Sequence, residues 1–284
     1  MTERYHTISF LSDYGTDDEF VGVVKSVIRT IAPHASVIDL THGITPHDVR
    51  GGALALARAV QYVDSGVILA VVDPGVGTNR KAVAIEVAGG EGVFVGPDNG
   101  LLASAIAMTG GAERAVVLTN EEYHLPSPGP TFAGRDVFAP VAAHLAAGVR
   151  FDALGEAIDP IALLPGILPL NQRDGDRLIC EVLWVDRYGN AQLNVDADEL
   201  AVLGARVLVR AGETVRSAAV AATYGAIPSG QLGLVVDSYG LVSICFDRSS
   251  AARELGLAAS DEVILEGGGA DTPVTTEVTL GRRP

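Results

Sequence analysis

Positive charge is in short supply in this chain. Its 20 lysines and arginines face 35 aspartates and glutamates, which leaves a net charge of −15 and a pI near 4.7. That balance repels phosphate backbones and anionic lipid, so nucleic acid and membrane surfaces are excluded as partners. Long apolar runs are also missing; none approaches the roughly 20 residues needed to span a bilayer. The opening residues, Met1-Thr2-Glu3-Arg4-Tyr5-His6, lack the apolar core of a signal peptide, and a soluble, cytoplasmic protein is expected. The two cysteines, Cys180 and Cys245, are too few for a structural zinc site. Their apolar, strand-like surroundings make buried free thiols the expectation. Six histidines are scattered without metal-ligand spacing, so no metal cofactor is expected. Internal repeats, low-complexity tracts, a nucleophile elbow and a Ser/His/Asp set are all absent.

What the chain does have is length and apolar content. With 284 residues, 48% of them hydrophobic, it can build two modest domains with real cores. Residues 7–12 read as a strand ending at Asp13-Tyr14-Gly15. Thr16-Asp17-Asp18-Glu19 reads as the cap and acidic first turn of a helix to about Ile31. Ser36 to Leu40 is the next strand, Asp48 to Val63 an Ala- and Leu-rich amphipathic helix, and Gly66 to Val72 a buried strand. That alternation predicts an α/β domain with a largely parallel sheet. A hairpin is expected after Arg80, from Ala82–Val87 and Val93–Val95, then helices over 101–108 and from about 135 to Gly148. From about residue 166 helical periodicity fades. Short β-branched runs then appear at 178–185, 206–209, 232–236, 242–246, 263–265 and 274–280. They predict a smaller all-β domain of barrel or sandwich type, giving domains 1–165 and 166–284.

Three stretches carry chemistry. The first is Val71-Val72-Asp73-Pro74-Gly75-Val76-Gly77-Thr78-Asn79-Arg80, a strand ending in a carboxylate, a glycine-rich turn and an arginine. The turn can bring Asp73 and Arg80 together at a strand edge, where ligands of α/β sheets bind; a solvated surface turn is the plainer alternative. Asn79 stands where a dinucleotide loop needs a third glycine, and a hairpin follows where such a loop needs a helix. The second is Asp13 at a strand end. A carboxylate there can accept hydrogen bonds from both hydroxyls of a ribose diol, or can simply close an Asx turn. The third is Asp186-Arg187-Tyr188-Gly189-Asn190, whose carboxylate, ring and amide suit an amine, a stacking surface and a purine edge, or else a β turn.

Six motifs in order tie these stretches together: Phe10-Leu11-Ser12-Asp13-Tyr14-Gly15, Thr41-His42-Gly43-Ile44, Val72 to Gly77, Val95 to Leu102, Thr131-Phe132-Ala133-Gly134-Arg135-Asp136, and Asp186 to Asn190. In them the chain resembles the S-adenosyl-L-methionine hydroxide adenosyltransferases, hydrolytic relatives of the fluorinase and chlorinase, over nearly its whole length. The resemblance implies that S-adenosyl-L-methionine and water give adenosine and L-methionine, with no cofactor. It also implies a homotrimer whose active sites lie between one subunit's N-terminal and a neighbour's C-terminal domain.

Residue by residue, the resemblance places Asp73 and Arg80 on the attacking water. The family's third water-handling group, a histidine, matches Ala133, a side chain that can neither donate nor accept. A lineage that manages with two groups, an inactivating change, or another side chain such as His124 reaching in are the open explanations. A protein that binds S-adenosyl-L-methionine with little turnover is therefore an alternative, and a halogenase a lesser one. The halogenases lack an acid at the position of Asp73, where a carboxylate would repel halide. For binding, the resemblance puts Asp13 on the ribose, and His47, Phe132 and Gly134 along the pocket wall. Asn190 and Tyr188 fall at the adenine, Asp186 at the methionine ammonium and Ser238 at its carboxylate. Tyr239 stands where halogenases have arginine, and Arg248 falls near the adenine.

Overall fold

The computed structural model describes residues 5–268, and the chain divides into two units between Leu168 and Pro169. Each has its own apolar core.

In the first unit seven strands form one sheet: β1 (Thr7–Ser12), β2 (Ser36–Thr41), β3 (Val67–Val71), β4 (Ala82–Val87), β5 (Gly92–Pro97), β6 (Arg114–Val117) and β7 (Glu156–Ile158). Their order is β2-β1-β3-β5-β4-β6-β7. The sheet is mixed, which corrects the expectation of a largely parallel one. β2, β1, β3 and β5 run parallel, whereas β4 lies antiparallel to both β5 and β6, and β7 antiparallel to β6. The reason is the expected hairpin: β4 returns through a tight turn at Ala88–Gly90 with no crossover helix, so it must run against β5. β3 reads VILAV and is buried throughout, as a central strand covered on both faces must be.

Four helices cover the sheet: α1 (Phe20–Ile31), α2 (Val49–Val60), α3 (Ala103–Met108) and α4 (Ala139–Ala146). α1 begins at Phe20, three residues later than a cap at Thr16 predicts, and no side chain caps it. Gly15, at φ +67°, donates its N–H to the His42 carbonyl at 2.8 Å, so the chain first crosses the sheet end before it can coil. α2 starts where Asp48 accepts from the Gly51 N–H at 2.8 Å. A Cβ on Gly52 would come within 3.0 Å of Val72, so glycine lets α2 lie directly against the end of β3. A π-helical turn, Gly134–Phe138, leads into α4.

The second unit carries β8 (Gln172–Asp174), β9 (Arg177–Val185), β10 (Ala191–Asp196), β11 (Arg206–Ala211), β12 (Thr214–Val220), β13 (Leu232–Val236), β14 (Leu241–Phe246) and β15 (Glu262–Gly267). Seven of them, β9-β10-β14-β13-β12-β11-β15, close into a barrel because the second half of β9 pairs with β10 while its first half pairs with β15. Closure removes the free edges. Its interior is apolar, with Val182, Leu193, Val209, Leu234, Ile244 and Leu265 buried. Two short helices, α5 (Ala197–Leu203) and α6 (Ala251–Leu255), interrupt the all-β pattern; α5 is set by a capping box between Asp196 and Glu199. Sequence periodicity passed over β10 because Gln192 is a polar side chain only 2% exposed, held by the Asp237 carboxylate at 2.6 Å. The strand expected at 274–280 lies outside the described residues. Cys180 and Cys245 are buried and unbridged, and burial pushes both thiols up to about 12.

Candidate active site

The strand order 2-1-3 makes the gap between β1 and β3 a topological switch point, where the connections leave in opposite directions. Asp13 follows β1 there and Asp73 follows β3. Because β4 runs the other way, its first residues lie at the carboxyl end of β3, and Arg80 arrives beside Asp73. The two make a two-pronged ion pair: Arg80 Nε donates to Asp73 Oδ1 at 2.9 Å, and Nη2 to Oδ2. Their side chains are only 11% and 6% exposed, and the guanidinium lies over the Phe138 ring at 5.3 Å. A solvated turn would leave these charges apart in water, so the plainer reading of this stretch is set aside. Asn99 Nδ2 ties down the strand end by donating to the Val72 carbonyl at 2.9 Å.

A cavity of about 500 Å³ opens at this edge, lined by Asp13, Tyr14, His47, Asp73, Phe132, Ala133 and Gly134 among others. Asp13 Oδ2 accepts from the His47 backbone N–H at 2.9 Å. To supply that N–H, His47 takes φ +69°, an arrangement of the kind that costs on the order of 1–3 kcal/mol and gathers at functional sites. Tyr14 is the residue that sequence reasoning passed over here, although it stands next to Asp13. Its ring is held edge-on by Phe132 at 5.6 Å and tilted against Phe20 at 5.9 Å. Gly134 does more than line the wall: a Cβ there would overlap the Tyr14 hydroxyl and sit 3.0 Å from its Cζ, so glycine makes room for the phenol. Burial holds that phenol protonated far above its ordinary range. Asp13 and Asp73 add to the effect, and Arg80 opposes it.

Ala133 also lines a neighbouring cavity of about 720 Å³, together with Arg80 and His124. His124 Nε2 is buried there without a hydrogen-bond partner, and burial lowers the imidazole below its usual range. It does not line the cavity that holds Asp13.

In the barrel unit, Asp186, Tyr188, Asn190 and Arg248 line one cavity of about 750 Å³ with Tyr224 and Phe246. Asp186 Oδ1 accepts from the Tyr188 and Asn190 N–H groups at 2.8 and 2.9 Å, and Oδ2 from Asn190 Nδ2 at 2.8 Å. The β turn reading is what the structure has here, and the turn bonds fix the Asn190 amide in place. Its carbonyl oxygen and second amide hydrogen are the complement of a purine amino edge. Tyr188 is 79% exposed, an open plate for stacking. Ser238 and Tyr239 do not line this cavity. They stand on the exposed turn between β13 and β14, whose Asp237 accepts from Tyr239 N–H at 2.8 Å and Ser243 Oγ at 3.0 Å. Tyr224, missed in the sequence, lies within electrostatic reach of both Asp186 and Asp237. Among the described residues no cluster of His, Cys, Asp and Glu could hold a metal, and no helix is long and apolar enough to cross a membrane.

Comparison with known proteins identifies the family. Residues 8–155 match the model of the SAM hydroxide adenosyltransferase N-terminal domain, and residues 180–264 that of the C-terminal domain. A Salinispora tropica protein named (R)-S-adenosyl-L-methionine hydrolase is 42% identical over 92% of this chain and 98% of its own length. A fluorinase from Actinoplanes sp. is 30% identical over 69% of this chain and 74% of its own. The crystal structure of a conserved protein from Thermotoga maritima superposes with a TM-score of 0.83 at 35% identity, covering 91% of this chain and 99% of that one. By descent and by fold, the chain belongs to the SAM hydroxide adenosyltransferase family.

Proposed function

We propose that the protein is an enzyme that hydrolyses S-adenosyl-L-methionine to adenosine and L-methionine. The observation that carries this reading is the buried Asp73–Arg80 pair, whose Asp73 lines one cavity with a carboxylate, Asp13, suited to a ribose, while Arg80 backs it from the neighbouring cavity. The likeness to proteins named (R)-S-adenosyl-L-methionine hydrolase supports it. A sulfonium leaves as a neutral thioether, so no acid is needed at sulfur. The demand is for a water held in line with C5′ and shielded from bulk solvent. As the water oxygen bonds to C5′, the C5′–S bond breaks and its electron pair stays on sulfur. The surplus proton passes to the Asp73 carboxylate, and Arg80 stabilises the hydroxide character that the water oxygen takes on as that proton leaves. A halide brought to the same spot would meet the Asp73 charge, which supports water over halide.

Asp13 holds the ribose hydroxyls, with His47, Phe132 and Gly134 as the wall. Asn190 and Tyr188 take the adenine edge and face, Asp186 the methionine ammonium, Ser238 and Tyr239 its carboxylate, and Arg248 flanks the adenine. The homotrimer belongs to the same proposal, since the groups for ribose and water lie in one unit and those for adenine and methionine in the other. A cytoplasmic location is part of it as well, consistent with a substrate made inside cells. The test is incubation with the separated (R) and (S) sulfonium epimers, with and without chloride, and chromatography of the products. Adenosine well above a protein-free control is expected, and sedimentation should give a trimer mass. Ligand bound but unchanged would favour the binding-protein reading that Ala133 suggests, and 5′-chloro-adenosine would favour a halogenase.

A further inference from the structure

The pair that faces the water is incomplete as a holder. Asp73 and Arg80 satisfy each other through both prongs, so the arginine fork is largely occupied. Position 133 adds only a methyl group. A water kept in line with C5′ needs a second fixed partner besides Asp73, or it tumbles in the cavity.

We propose that the Tyr14 hydroxyl is that partner, a catalytic group that accepts one hydrogen of the attacking water while Asp73 accepts the other. The inference rests on the hydrolase reading above. Tyr14 lines the cavity with Asp13, Asp73 and Ala133, and its hydroxyl lies against Gly134, next to the alanine. The phenol is rigidly placed. Its ring is wedged among Phe10, Phe20 and Phe132, and its backbone is held by Ser12 Oγ at 3.3 Å and by the bond from Gly15 to His42. A side chain there merely for packing would be served as well by phenylalanine. Instead an otherwise apolar aromatic cluster ends in one polar atom, and a glycine keeps space for it. Its electrostatic neighbours are Asp13, the carboxylate proposed for the ribose, and Asp73 and Arg80, the pair proposed for the water. The phenol keeps its own proton throughout, and the proton released in the reaction leaves through Asp73. His124 is the competitor for the role, but its Nε2 is enclosed and the residue lines the neighbouring cavity, not the one that holds Asp13 and Asp73.

The test compares Tyr14→Phe, His124→Gln and Tyr14→Phe combined with Ala133→His. Readouts are adenosine formation from S-adenosyl-L-methionine, adenosine affinity by calorimetry, and Tm. Loss of one partner of a cooperating water site costs about 10–100-fold in kcat. Tyr14→Phe should show that loss with KM and adenosine affinity within about threefold, since it removes only an oxygen. His124→Gln should match the wild type, and the added imidazole should restore part of the lost rate. Three results would overturn the role of Tyr14 alone: an unchanged kcat in Tyr14→Phe, a change confined to KM, or a larger loss in His124→Gln. If the wild type makes no adenosine, the hydrolase reading fails and this role falls with it.

Discussion

Replacing Asp73 with asparagine strips the partner from a guanidinium that is 11% exposed. Exposed ion pairs are worth about 0.2–1 kcal/mol, whereas breaking a buried pair from one side costs about 3–5 kcal/mol because a charge is left unmatched. The Phe138 face at 5.3 Å offers Arg80 partial compensation, so a loss near the lower end, about 3 kcal/mol, is expected for Asp73→Asn. Arg80→Gln leaves a carboxylate at 6% exposure and should cost about as much. The double variant removes both charges and should be less damaged than the sum of the singles, by on the order of 1–3 kcal/mol. Urea unfolding followed by far-UV circular dichroism measures this. The one tryptophan, Trp184, lies in the barrel strand β9, so its fluorescence reports the other unit and should move little. All three variants should also form adenosine at least about 100-fold more slowly. Single-variant losses below about 1 kcal/mol, or a double loss equal to the sum, would refute the reasoning and return Asp73 and Arg80 to a solvated turn.

Two further outcomes follow from the same geometry. Gly134→Ala places a methyl on the Tyr14 hydroxyl and should cost about 1–3 kcal/mol with weakened adenosine binding. Adding Tyr14→Phe should recover part of that Tm loss, and no recovery would show that the glycine is needed for something else. Burial lowers the imidazoles of His124 and His144 in the folded chain, so the unfolded chain binds more protons as pH falls. Their contribution is complete at neutral pH and is lost as pH drops from the unfolded value of about 6.5 through the lower folded values. Thermal melts from pH 7.5 to 5 should show Tm falling. The fall should shrink in a His124→Gln/His144→Gln variant, and an unchanged slope would contradict the burial argument.

Much of the first unit could be read directly. The apolar run before Asp73, the glycine turn after it and the hairpin beyond are local signals, and the structure has them at β3, β4 and β5. The two-unit plan and the family motifs are equally local, because each is a short string of residues that must make one turn or one strand end. Elements built on mixed or polar sequence were not readable. β10 hides a buried glutamine, and β12 carries Arg216 and Ser217 within seven residues.

What only the tertiary structure decided is who meets whom. A sequence shows that Asp73 and Arg80 stand seven apart and that a turn can join them, but not that the two close a two-pronged pair buried against Phe138. It shows Tyr14 beside Asp13 and Gly134 beside Ala133, yet their contact spans 120 residues and depends on the π-helical turn that brings the second motif under the first. Likewise it writes Asp186 as either a turn or a ligand carboxylate, and the folded chain has the turn, with both carboxylate oxygens bonded to Asn190. Residue types set which chemistry was available. The burial of one ion pair and the space left by one glycine set where it could happen, because charge pairing and van der Waals exclusion act between atoms that only the fold brings together.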